Sequence, residues 1–149
     1  MTNIYTSIDQ VLQGCGHWLA HMGMPQSVKD FQLVPFRDWR QLPKKPGVYV
    51  IFDSKNQSVV YVGMSYKGRG GIRTRNSNHN KKFDLPDKSV MPNGWRWYLK
   101  SYAVDPNQLT LLYLTLDSVY DVCALEMNLV REFQPLANEE SFIHFKREL

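Results

Sequence analysis

The sequence is poor in several things that define common protein classes. It has two cysteines in 149 residues. That excludes a disulfide-rich scaffold and a four-cysteine zinc site. No apolar run approaches the roughly 18 residues needed for a membrane helix. The opening MTNIYTSIDQ has no basic stretch followed by an apolar one, so no secretory leader is expected. A cytoplasmic protein with reduced Cys15 and Cys123 is the expectation. Internal repeats and low-complexity segments are missing too. The charge is too low, and the apolar fraction of 43% too high, for a disordered chain.

Acidic residues are scarce in one region only. Between Arg37 and Lys100 there are 14 Lys/Arg and 4 Asp/Glu, a balance of +10. The other 85 residues hold 4 Lys/Arg and 10 Asp/Glu, a balance of −6. The formal net charge of +4 hides this division. Such asymmetry suits a surface that faces a polyanion, and suits a solvated basic surface equally well.

The hydrophobic pattern gives the elements. Ile8, Val11, Leu12, Cys15, Trp18, Leu19 and Met22 recur at helical spacing over Ser7 to Met22. Ser7 and Gln10 have the spacing of a capping box. Phe31 to Phe36 is short and extended at best, broken by Pro35. Leu42 to Pro46 is a loop by composition. Gly47–Asp53 and Ser58–Ser65 are rich in β-branched and aromatic residues and read as a hairpin. Arg69 to Lys82 and Gly94 to Ala103 read as helices, Asp84 to Asn93 as irregular. Leu109 to Leu116 reads as a third strand. Ser118 to Phe133 is the best helix, capped by Asp117 or Ser118 and followed by Pro135. The fold expected is α+β: a small, mainly antiparallel three-stranded sheet flanked by helices. Residues 1–40 form an N-terminal helical extension packed on a domain of residues 41–149.

Two placements draw the eye to chemistry. On the last helix, Val119, Val122, Cys123, Leu129, Val130 and Phe133 form one stripe at 100° per residue. Glu126 falls in its middle, where an ionised carboxylate needs a cation, a metal or a proton. In the hairpin, Val48, Val50, Val60 and Val62 read as the core face, with Tyr49 and Tyr61 on the other. Pairing Phe52 with Ser58 sets Tyr49 opposite Tyr61. Such a pair is usually no more than a cross-strand aromatic contact.

Gly47-Val48-Tyr49, eleven residues, then Tyr61-Val62-Gly63 resembles the two-part signature of the GIY-YIG nuclease superfamily. Downstream, Ile72-Arg73-Thr74-Arg75 with His79 is similar to that family's helix. Ala124-Leu125-Glu126, then Pro135 and Asn138, is similar to its metal-binding glutamate and C-terminal asparagine. The resemblance covers Pro46 to Glu139.

It implies a metal-dependent endonuclease that hydrolyses phosphodiester bonds in DNA, with RNA left open. The trade could be restriction, a mobile element or repair. A binding module of the same fold without cleavage is the alternative, and a toxin-like nuclease a third. Tyr49, Tyr61, Arg75, His79, Glu126 and Asn138 are the implied catalytic set. Glu126 would hold one Mg²⁺ or Mn²⁺. Arg75 would place its guanidinium on the phosphate, with Arg73 as its rival. Tyr49 would orient or deprotonate water, supported by Tyr61, and His79 would relay a proton or touch phosphate. Asn138 would organise the site by hydrogen bonding. Lys67, Arg69, Arg73, Lys81, Lys82 and Arg96 are the expected nucleic-acid contacts. A two-fold homodimer would suit double-strand cutting. His17 and His21, at i and i+4, read as exposed helix residues rather than ligands.

Overall fold

A computed structural model describes residues 5–24, 30–66, 68–87 and 93–138. Lys67, Lys88 and the acidic residues from Glu139 onward lie outside the described residues. The chain is α+β, with one antiparallel sheet of four strands flanked by helices. The strands are β1 (Gln32–Pro35), β2 (Gly47–Asp53), β3 (Ser58–Ser65) and β4 (Leu109–Thr115). They lie in the order β1-β4-β2-β3. The helices are α1 (Ile8–His21), α2 (Gly71–Phe83), α3 (Asn93–Ser101) and α4 (Val119–Phe133). Among the described residues no helix is long and apolar enough to cross a membrane.

The fourth strand corrects the three-stranded expectation. β1 is only four residues long and ends on Pro35, so its local signal is weak. Pairing with β4 makes it a strand, with Leu33 opposite Leu112. Proline is tolerated there because β1 is an edge strand. The segment before residue 41 thus contributes a strand of the sheet as well as α1.

β2 lies at the centre and is buried along its whole length. Its alternation feeds two cores. Val48, Val50 and Phe52 pack with Val62, Leu112 and Leu114 beneath α1 and α4. Tyr49 and Ile51 pack on the other face with Ile72, Phe83, Trp95 and Leu111.

The hairpin register differs from the sequence expectation. Tyr49 stands opposite Gly63, and Tyr61 opposite Ile51. Phe52 pairs with Val59, not Ser58, and the register shifts between Ile51 and Phe52. Val60 is the extra residue of this bulge. The bulge turns Val60 onto the Tyr49 face, while Val62 stays with Val48 and Val50. The carbonyl of Val60 accepts the Ala137 N–H at 2.8 Å, so the bulge is fixed from far along the chain.

The helix ends follow their caps. Ser7 accepts the Gln10 N–H at 3.3 Å, but the returning arm differs from a capping box. Gln10 Oε1 accepts from Thr6 N–H at 2.8 Å, one residue earlier. Ser118 caps α4, and Gln134, in the left-handed region at φ 45°, closes it before Pro135.

Candidate functional site

The site is built on the middle of β2. Tyr49 is fully buried, and its phenol must find a polar partner there. It finds His79: the Oη–Nε2 distance is 2.9 Å. His79 is on the buried side of α2, with Ile72, Asn76 and Phe83. Tyr61, on β3, stacks on Tyr49 with ring centroids 6.0 Å apart and planes 20° apart. Trp95 of α3 stacks on the far side of Tyr61, also at 6.0 Å. The tyrosines therefore share a face, as alternation requires, yet sit diagonally rather than directly opposite.

Gly63 explains why the diagonal is available. A Cβ on Gly63 would lie 2.4 Å from Tyr49 Oη and 2.7 Å from the Tyr61 ring. The missing side chain is the space through which the Tyr49 phenol passes. It is thus a side chain, and not a backbone, that comes close to this glycine.

Arg75 stands on the exposed side of α2, with its guanidinium beside both phenols. Their negative forms hold its guanidinium ionised even more firmly than usual, Tyr49 foremost. Arg73 goes elsewhere. Its Nε donates to the Leu42 carbonyl at 2.7 Å. It lines a separate cavity of about 730 Å³ with Asp30, Asp117 and Asp121. Of the two rival arginines, only Arg75 meets the tyrosines.

The protonation states are set mainly by burial. Burial, joined by the Tyr61 phenol, pushes Tyr49 well above the usual tyrosine range. Arg75 pulls it back, and the carboxylate of Glu126 pushes it up further. His79 goes the opposite way, down to about 3, because burial penalises the imidazolium and Arg75 and Lys82 repel it. At neutral pH the phenol is protonated and the imidazole neutral. Tyr49 O–H then donates to His79 Nε2, with the Arg75 guanidinium beside the phenol.

Glu126 is placed differently from its expectation. The buried stripe of α4 runs through Val122, Leu125, Leu129 and Phe133. With Leu125 included and the partly exposed Val119, Cys123 and Val130 set aside, the centre of the buried stripe lies about 50° from Glu126. Glu126 is half-buried on the flank, not in the middle of the apolar face. Its charge still reaches Tyr49.

Asn138 does not join the phenols. Its Oδ1 accepts the Val62 N–H and its Nδ2 donates to the Val62 carbonyl, both at 2.7 Å. The amide acts as a one-residue strand along the edge of β3. The preceding Ala137 is wedged against α3, where a Cβ on Gly94 would meet the Ala137 carbonyl at 2.2 Å.

The remaining predicted contacts differ in exposure. Arg69 and Lys81 are exposed, and Lys82 and Arg96 half-buried. Lys82 is near enough to act on His79. His17 and His21 are exposed, as expected, and Trp95 is core. Sequence reasoning missed Trp95 as the stacking partner of Tyr61 and Lys82 as a neighbour of His79. The i, i+3 spacing of His79 and Lys82 was the available signal for the second.

Among the described residues no group of three or more His, Cys, Asp or Glu is arranged to hold a metal. The donor set at the site is one carboxylate, with the imidazole engaged by Tyr49. A single carboxylate fits Mg²⁺ or Mn²⁺, hard ions that keep several of their own waters. They do not fit zinc, which takes three or four protein ligands. No protein-family model matches this chain, and no curated protein matches it in sequence.

Proposed function

We propose that this chain is a metal-dependent endonuclease of the GIY-YIG kind. The observation that carries the reading is convergence. Tyr49, Tyr61, Arg75, His79 and Glu126 come from β2, β3, α2 and α4, and all five act on the Tyr49 phenol or its partner. A structural aromatic pair has no need of an arginine, a neutral imidazole and a carboxylate around it.

Each residue has a task in phosphodiester hydrolysis. Arg75, exposed on one side and beside the phenols on the other, binds non-bridging oxygens of the scissile phosphate. Tyr49 orients the attacking water. Once ionised, with its own proton lost to bulk solvent, it takes the water's proton as the bond from phosphorus to the 3′ oxygen breaks. Arg75 favours that ionised form. His79 holds the phenol in place through Nε2 and, with so low a proton affinity, is a poor place to store a proton. Tyr61 packs between Tyr49 and Trp95 and fixes the ring. Glu126 would hold the Mg²⁺ or Mn²⁺ ion, which supplies positive charge for the departing 3′ oxygen. Asn138 supports the set from behind by tying down β3.

The test is plasmid cleavage with Mg²⁺ and with EDTA, for the wild type, Glu126→Ala, Arg75→Ala and Arg73→Ala. Metal-dependent nicking by the wild type and by Arg73→Ala, but not by the other two, is expected. No metal-dependent cutting of any DNA or RNA form would sink the enzyme reading. Retained binding in that case would leave a module that holds nucleic acid without cutting it.

A further inference from the structure

Two exposed cations near the site lie outside the catalytic set. Lys44 and Lys45 sit on the corner that leads into β2, and both are exposed. The corner is fixed in place. The Lys45 carbonyl accepts the Ile72 N–H at 3.0 Å, and the Pro46 carbonyl accepts the Leu116 N–H at 3.1 Å. Gly71, at φ 54°, lies so close that a Cβ would meet the Lys45 carbonyl oxygen at 2.1 Å. The two lysines are thereby held at the start of α2. Among the described residues neither of them makes an ion pair.

α2 carries further positive charge. Arg75 is four residues beyond Gly71, about 6 Å along the axis, and Lys82 a further 10 Å or so. Seven residues apart, Arg75 and Lys82 share one side of the helix. Asp84, the acid at the far end, is taken up by Arg37 at 2.8 Å. Positive charge therefore flanks Arg75 on both sides over about 16 Å. At 3.4 Å of rise per nucleotide, that is roughly four to five steps of one strand.

Resting on the endonuclease reading, we infer that Lys44 and Lys45 form a phosphate-binding site separate from Arg75. The ligand is the sugar-phosphate backbone of a polynucleotide strand laid along α2. The site makes a chain of several phosphates the substrate, not a single nucleotide or a diester of two.

The experiment is equilibrium binding of a labelled 20-base-pair duplex in EDTA, across a salt series. It compares the wild type with Lys44→Gln/Lys45→Gln and with Lys55→Gln/Lys100→Gln. The second pair removes the same charge elsewhere. Lys55 is in the loop at the far end of the hairpin, some 24 Å away along β2. Lys100 is in the last turn of α3, close before Ala103, whose carbonyl accepts from Asn56 of that loop. Each phosphate contact contributes about 0.9 to the slope of log K against log salt. The Lys44/Lys45 variant is expected to lower that slope by about 1.8, and the control pair to leave it unchanged. An unchanged slope in the first variant, or an equal fall in both, would overturn the inference. In that case Arg75-dependent cleavage by the wild type would keep the endonuclease reading standing. A wild type that neither binds nor cuts would overturn both.

Discussion

The Tyr49 hydroxyl and His79 Nε2 lie 2.9 Å apart, in a place that leaves Tyr49 no solvent exposure and His79 only 7%. Each is the other's answer to burial. Removing the hydroxyl would leave the imidazole nitrogen unpaired, a cost of about 1–3 kcal/mol. Tyr49→Phe is therefore expected to lose that much stability in urea denaturation and to lose metal-dependent cleavage. Tyr61→Phe should keep most of its stability.

The pH dependence of cleavage should reflect the phenol and not the imidazole. His79 is already neutral above about pH 4, so it makes no transition between pH 5 and 8. Tyr49, held above its usual range, keeps gaining its basic form as pH rises. Log(kcat/KM) is expected to climb through pH 9 with no break near 6.5. A break near 6.5 that vanishes in His79→Gln would contradict this.

The same imidazole should make the fold sensitive to acid. Its folded pKa of about 3 lies below the ordinary 6.5, so the unfolded chain binds the proton first. The contribution is fully present above about pH 6.5. It is lost as pH falls toward 3, at up to about 1.4 kcal/mol per unit. Denaturation curves between pH 6.5 and 4 should therefore fall less steeply for His79→Gln than for the wild type.

Gly63→Ala tests the diagonal stacking. A methyl group 2.4 Å from Tyr49 Oη cannot be accommodated without moving the phenol off His79. Overpacking of this kind costs about 1–3 kcal/mol. Loss of cleavage by a folded Gly63→Ala protein is expected; wild-type rates would show that the phenol need not stay where it is.

Glu126 and Asn138 should separate activity from stability. Asn138→Ala leaves two backbone groups of Val62 without their partner. It is expected to lower stability by about 2 kcal/mol or more. Glu126→Ala removes a half-buried carboxylate that already opposes ionisation of Tyr49, so it should change stability little and abolish metal-dependent cleavage. Thermal unfolding and nicking assays on both proteins check the contrast.

How far these features could be read in the sequence depended on where their causes lie. β2, β3, β4 and α4 are legible because each carries its own period and caps. The hairpin register is not. A pairing that sums to 110 and one that sums to 112 both leave Tyr49 and Tyr61 on one face, so alternation cannot choose between them. The choice is coupled to a bulge at Val60, and the Ala137 N–H that holds it comes from another part of the chain. β1 is a strand only because β4 is beside it. Glu126 looked central because the partly exposed Val119, Cys123 and Val130 were given the same weight as core residues. The separation of Arg73 from Arg75 is a matter of side-chain direction, which neighbours on a helix do not share.

The Asn138 clasp has a consequence beyond the site. A sheet edge is a template on which any extended chain can grow, and proteins block it in order to stay apart from one another. Here β1 ends in proline, and the Val62 rung of β3 is occupied by a side-chain amide. One asparagine thus works as a stopper against strand addition. Its loss would cost the protein not only rigidity beneath Tyr61 but its protection from joining other molecules edge to edge.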